Sequence, residues 1–263
     1  MICDIEKTQK TGIFDGALRA ETKENSKEKN KKGNYYQNSI IFAFTAVIVV
    51  CIFVQLAFDS DELAVEHARM EWNVFLSMTS YLIYMIFRYF HLKKNYLISA
   101  FAFLFWVLFF PNSFYMLTDL KYIANCNFAL FSVPDISSPV YLRSWLYVFA
   151  VFIPVLTGVC FGFAALIDFR DVILRKWNLV LREIVIALIL LPSGFAVTIG
   201  RFARVNSWDI LNGKSLIKSI LPYFSKEGLT YSLMYAFVFW VVYMLIYFFA
   251  FIFRGSDSYT NEA

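Results

Sequence analysis

Histidine is almost missing from this chain, whose 263 residues include only His67 and His91. The topology argued below puts the two in solvated loops on opposite sides of a membrane, so neither a two-histidine metal site nor a histidine relay is available. Charge is scarce as well, at 17% against 59% apolar residues, which excludes a soluble domain of this length. The four cysteines give no disulfide framework, since Cys51 and Cys160 fall inside apolar runs and Cys3 and Cys126 on contrary sides. No phosphate-cradling glycine loop or dinucleotide fingerprint occurs, and Ser193 and Ser207 have no general base of the usual kind beside them. The residues therefore predict no catalytic group, no metal and no cofactor. Acid–base work by Asp119 with a tyrosine or arginine is the one enzymatic option left.

What is abundant is hydrocarbon. Apolar stretches of roughly 20 residues, enough to cross about 30 Å of lipid, cover Ser39–Phe58, Trp72–Phe90, Tyr96–Leu117, Trp145–Ile167, Leu179–Gly200 and Leu229–Phe253. A stretch such as IIFAFTAVIVVCIFVQLAF is apolar all round, so each span reads as helix and a barrel is set aside. The expected fold is an all-α integral membrane protein, a six-transmembrane-helix bundle over residues 38–254. Residues 1–37, rich in lysine, glutamate and asparagine, read as a disordered charged tail, and 255–263 as a short second tail. The long charged region ahead of the first span argues against a cleaved signal. The 30 phenylalanines and 16 tyrosines accompany a tail rich in lysine and asparagine, which marks a compositional bias more than an aromatic function.

Lysine and arginine assign the sides. Sixteen of the 24 fall in the first tail, in the connections after the second and fourth spans, and at Arg254. This puts both ends in the cytoplasm and the protein in the plasma membrane as a multi-pass chain. The exception is the last outer loop, with Arg201, Arg204, Lys214, Lys218 and Lys226. Part of that excess is local: KSLIKSILPYF spaces its apolar and basic residues as a helix does, so a short helix in the headgroup layer, ended by Pro222, is expected.

Two polar stretches end at the same outer face. If the third span continues as helix through FFPNSFYMLTDL, Asn112, Tyr115 and Asp119 lie within about 60° of one another. If the fifth continues through GRFARVNSWD, Arg201 and Arg204 share a face, with Trp208 within about 20° of Arg201. Arginine presents a planar fork of donors suited to carboxylate or phosphate, and Asp119 is the nearest counter-charge. A ligand site and an ion pair pinning the third span to the fifth are equally open readings. Trp145 and Trp208 read as interfacial anchors, Pro154 and Pro192 as bends, and Gly158 with Gly162 as a close intramolecular approach.

FFPNSFYMLTDL resembles a FLPNxPYxxTDL signature, and SGFAVTIGRFARVNSWDIL a SGFGIYLGRFxRWNSWDIL signature, of the bacterial membrane proteins grouped as domain of unknown function 1361. Glu71-Trp72-Asn73 and LTGVCFG at 156–162 are similar too, and the resemblance covers roughly residues 69–253. It marks Pro111, Asn112, Tyr115, Thr118, Asp119, Gly200, Arg201, Arg204, Asn206, Ser207, Trp208 and Asp209. Phe114 stands where proline is expected, Val205 where tryptophan is, and Tyr147 where the fourth span would carry an acid. The resemblance implies an architecture and a shared outer site, with no reaction attached.

The preferred reading is a ligand-binding pocket at the non-cytoplasmic rim, formed by Asn112, Tyr115, Asp119, Arg201, Arg204, Asn206, Trp208 and Asp209, that takes an anionic lipid or a cell-envelope precursor. The arginines would hold the anion and the others orient them. A second reading is a structural or assembly protein in which the same residues only tie helices. A transporter ranks third, because Ser77, Thr79, Thr157, Ser193 and Thr198 are few and mostly small hydroxyls able to bond their own helix. Membrane lipid is the expected partner and nucleic acid is not.

Overall fold

The computed structural model describes residues 35–36, 38–55, 64–125, 137–204 and 213–260, and among them regular structure is helical, with no strand. The chain divides into two compact units, Met1–Thr45 and Ala46–Ala263. The tail expected over 1–37 lies outside the described residues except for Tyr35 and Tyr36, which are helical. In chain order the helices are α1 (Asn38–Gln55), then α2 (Ala64–Leu92), α3 (Tyr96–Phe109), α4 (Pro111–Tyr115) and α5 (Pro139–Asp168), followed by α6 (Leu179–Phe202), α7 (Gly213–Ile220) and α8 (Lys226–Thr260).

Five helical stretches are long and apolar enough to cross a membrane: Asn38–Gln55, Tyr96–Ala124, Pro139–Ile173, Leu179–Phe202 and Lys226–Phe249. The sequence led to an expectation of six. The remaining one, Trp72–Phe90, lies inside α2, which has 29 residues but too much polarity to be included with the five. The reason is a stripe of Asn73, Ser77, Ser80, Tyr84 and Arg88 repeating every three or four residues. Ser77, Ser80 and Tyr84 in that stripe are buried in the bundle, so the polarity that lowers the hydropathy of α2 is turned inward.

Local chemistry sets the element ends. Asn95, Ser138 and Asn178 cap α3, α5 and α6 by accepting from the backbone N–H three residues on. Pro111 has no N–H to extend the ladder of α3, so the chain restarts as α4 and then tightens into a 3-10 segment, Met116–Asn125. Helix α5 runs through Pro154 and loosens into a π turn, Phe169–Ile173, while α6 runs through Pro192. As expected, α7 gives way at Pro222 to a 3-10 turn, Leu221–Phe224. Helix α8 continues to Thr260, so the second tail expected from residue 255 is helical over most of its length.

Packing explains two composition signals. A Cβ on Gly158 would stand 2.5 Å from Met116 Cγ and one on Gly162 2.7 Å from Ser113 Cβ, so this pair lets α5 close on α4 and the 3-10 segment. Phe114, standing where the family signature has proline, is fully buried with its ring 4.9 Å from Phe163 and 4.4 Å from Phe239. It fastens α4 to α5 and α8. His91 is no loop residue: it sits in the last turn of α2, its ring 5.6 Å from that of Phe87 in a tilted contact, and lies 3.4 Å from Ser99 Oγ. Thr79, Thr157, Ser193 and Thr198 all donate to the carbonyl four residues back in their own helix.

Candidate functional site

The break at Pro111 builds the site. With α3 interrupted, Asn112 Nδ2 donates to the Phe109 carbonyl at 2.9 Å and the Thr118 hydroxyl to the Tyr115 carbonyl at 2.6 Å, which holds α4 and the 3-10 segment in their tight path. That path turns Asp119 into the protein, where it is completely buried. A buried carboxylate needs partners. Asp119 Oδ2 accepts from Asn73 Nδ2 on α2 at 2.8 Å, and Oδ1 accepts from Arg201 Nη1 on α6 at 3.2 Å. One carboxylate thus joins three segments.

Arg201 is held on several sides. Its Nη1 also donates to the Tyr115 hydroxyl at 3.2 Å and its Nη2 to the Thr118 carbonyl at 2.6 Å. The guanidinium lies 5.3 Å from the centre of the Tyr115 ring and 5.8 Å from that of Tyr122. Beside this group opens a cavity of about 560 Å³, bordered by Arg69, Asn73, Lys121, Tyr122, Arg201 and Arg204 among others. Among the described residues none that lines it is acidic.

The expected site residues fare differently. Tyr115, Asp119 and Arg201 come together as a bonded group. Asn112 borders the cavity, but its amide serves the Phe109 carbonyl and not the aspartate. Arg204 also borders the cavity, yet it does not share a helical face with Arg201: α6 ends at Phe202, and Arg204 is exposed in a left-handed conformation with φ 55°. The expected pair of cations on one face is therefore replaced by one partly buried, paired arginine and one exposed arginine. Asn206, Trp208 and Asp209 lie outside the described residues.

Several members escaped the sequence reading. Asn73 was legible only as part of the Glu71-Trp72-Asn73 stretch, and Arg69, Lys121 and Tyr122 only as residues near span ends. Arg69 reaches the Tyr122 side chain. Tyr147, where an acid was expected, donates its hydroxyl to the Tyr122 carbonyl at 3.2 Å and so braces the 3-10 segment from α5.

A second charged cluster occupies the opposite helix ends. Asp168 accepts from the Tyr84 hydroxyl and, at 2.7 Å, from Arg88 Nε. Arg170, in the π turn and 2% exposed, donates at 2.8 Å to Glu183 and at 3.0 Å to Asp171, with its guanidinium 3.9 Å above the Tyr247 ring. Arg88 and Arg170 are helix-end residues in ion pairs. About 22 Å of α2 separates Asn73 from Arg88, so the two clusters are independent.

Long apolar helices with their charges gathered into interior pairs define a helical membrane protein. A family match over residues 72–253 takes the assignment further: the chain belongs to the family Protein of unknown function (DUF1361). No curated protein and no solved structure matches it.

Proposed function

We propose that this membrane protein binds an anionic group in the cavity beside the Asp119–Arg201 pair. In this reading α2 is the sixth span, both chain ends are cytoplasmic, and the cavity opens at the outer rim of a plasma membrane. The lipid phosphates of the outer leaflet and cell-envelope precursors carried there are then the anions within reach. The supporting observation is that Arg69, Lys121, Arg201 and Arg204 border one cavity with no acidic residue among the described residues of its lining. Asp119 pairs with Arg201 and also attracts Lys121, and Arg69, Lys121 and Arg204 are exposed side chains. Anions are drawn to such a concentration of one charge sign, and arginine matches phosphate with paired donors. Native mass spectrometry of the purified protein tests this. Arg204→Gln with Lys121→Gln is expected to remove retained anionic lipid, and unchanged retention would count decisively against the proposal.

The structural reading applies to Arg201 in its own right. That side chain is already occupied by Asp119, Tyr115 and Thr118. It ties α6 to the 3-10 segment whether or not a ligand is bound, so the anion's partners are chiefly the other cations.

A further inference from the structure

Resting on that reading, we infer that the anion arrives as the head of an amphiphile whose hydrocarbon chain occupies the inner half of the same cavity. Three separate walls are graded in the same sense. On α2, Leu76 lies toward the middle of the helix and Arg69 toward its end, about 10 Å further along. On the second wall, Leu108 in α3 is the inner residue and Lys121 in the 3-10 segment the outer one. On α6 and its exit, Ala196 and Val197 come before Arg201 and Arg204. A receptor for a free hydrated anion would need polar groups on every side, because stripping such an ion against hydrocarbon is costly. Here the inner half offers hydrocarbon and the outer half offers cations, which complements a molecule with one charged and one apolar end.

The way in is lateral. Helix α3 packs mainly on α2 and helix α6 on α4 and α8, so α3 and α6 border the cavity with little direct packing between them. Leu104 and Phe105 on α3 and Leu188 and Leu191 on α6 are exposed, and in a bilayer they meet lipid chains. Ala196, also exposed, lines the cavity on the α6 side with only a methyl group. An acyl or isoprenoid chain can therefore slide in from the membrane while its head stays at Arg69, Lys121 and Arg204.

The test uses the full chain in discs of neutral lipid and follows the thermal unfolding midpoint. Three probes are titrated: dihexanoyl phosphatidic acid, inorganic phosphate, and uncharged dihexanoylglycerol. The phosphatidic acid is expected to raise the midpoint saturably, and the other two to leave it unchanged at equal concentration. Arg204→Gln with Lys121→Gln should weaken the response at least tenfold. Ala196→Phe, which fills the inner half, should do the same, with Ala196→Leu between it and the native chain; both are read against their own unliganded midpoints. An equal response to inorganic phosphate overturns the amphiphile and leaves the anion site standing. An equal response to dihexanoylglycerol, or no response to any probe, overturns the anion site as well.

Discussion

Arg201 meets Asp119 across 82 residues of sequence, with Nη1 3.2 Å from a carboxylate oxygen that no solvent touches. The pair stands at the join of α2, α6 and the 3-10 segment, because Asn73 holds the other carboxylate oxygen. It thereby fixes one wall of the cavity relative to another. An arginine so engaged supplies geometry to the site more than free charge.

Removing either partner should be costly, since it strands a buried charge. Asp119→Asn and Arg201→Gln are each expected to lose about 3 kcal/mol, on the order of 10 °C in midpoint for a chain of this size. Thermal unfolding of the two single variants and the double variant checks it. The double variant should lose less than the sum, with a coupling of about 1–3 kcal/mol, and strictly additive losses would dissolve the pair.

Arg204 separates binding from folding. Its left-handed backbone carries a steric cost that glycine does not share, so Arg204→Gly should stabilise the protein by up to about 1 kcal/mol. The same change deletes a cavity cation and should lower retention of anionic lipid. Loss of stability together with binding would show that Arg204 has a packing role.

The distal cluster should affect stability alone. Glu183→Gln weakens the anchoring of the nearly inaccessible Arg170, which keeps Asp171 at 3.0 Å, so a loss of about 2 kcal/mol is expected. Anionic-lipid binding should be untouched, because about 27 Å of α6 separates Glu183 from Arg201. A matching fall in lipid retention would reveal coupling between the two ends.

Sidedness is checked by labelling. With the other cysteines replaced, Cys126 should react with a membrane-impermeant maleimide on intact cells, and Cys3 only after permeabilisation. The opposite pattern would put the cationic cavity on the cytoplasmic face and remove outer-leaflet ligands from consideration.

The spans were legible because lipid demands length and hydrocarbon, properties that add along the chain. The one departure, α2, is instructive. Counted as a span from its sequence, it carries a polar stripe from Asn73 to Arg88, of which Ser77, Ser80 and Tyr84 are buried in the bundle. The site was half legible: an aspartate and two arginines at neighbouring span ends could be paired on charge alone. Which arginine makes the pair depended on where α6 stops. No residue at the helix end announces that stop, since Arg204 takes a conformation usually left to glycine. Asn73 and the cations at 69 and 121 could not be found this way either, because a hydrogen bond across 46 residues leaves no periodicity in the sequence.

By itself the sequence determined the helical membrane class, the stop at Pro222, and the concentration of charge at helix ends, because these follow from local backbone chemistry and from transfer of side chains out of water; the break at Pro111, through which the third span was expected to continue, came from the structure. Only the tertiary structure decided that Asp119 is shared between Asn73 and Arg201, that Arg204 stands apart, and that four cations border one cavity. Those are distances between remote segments, set by how glycines such as Gly158 and Gly162 and rings such as Phe114 let the helices close on one another.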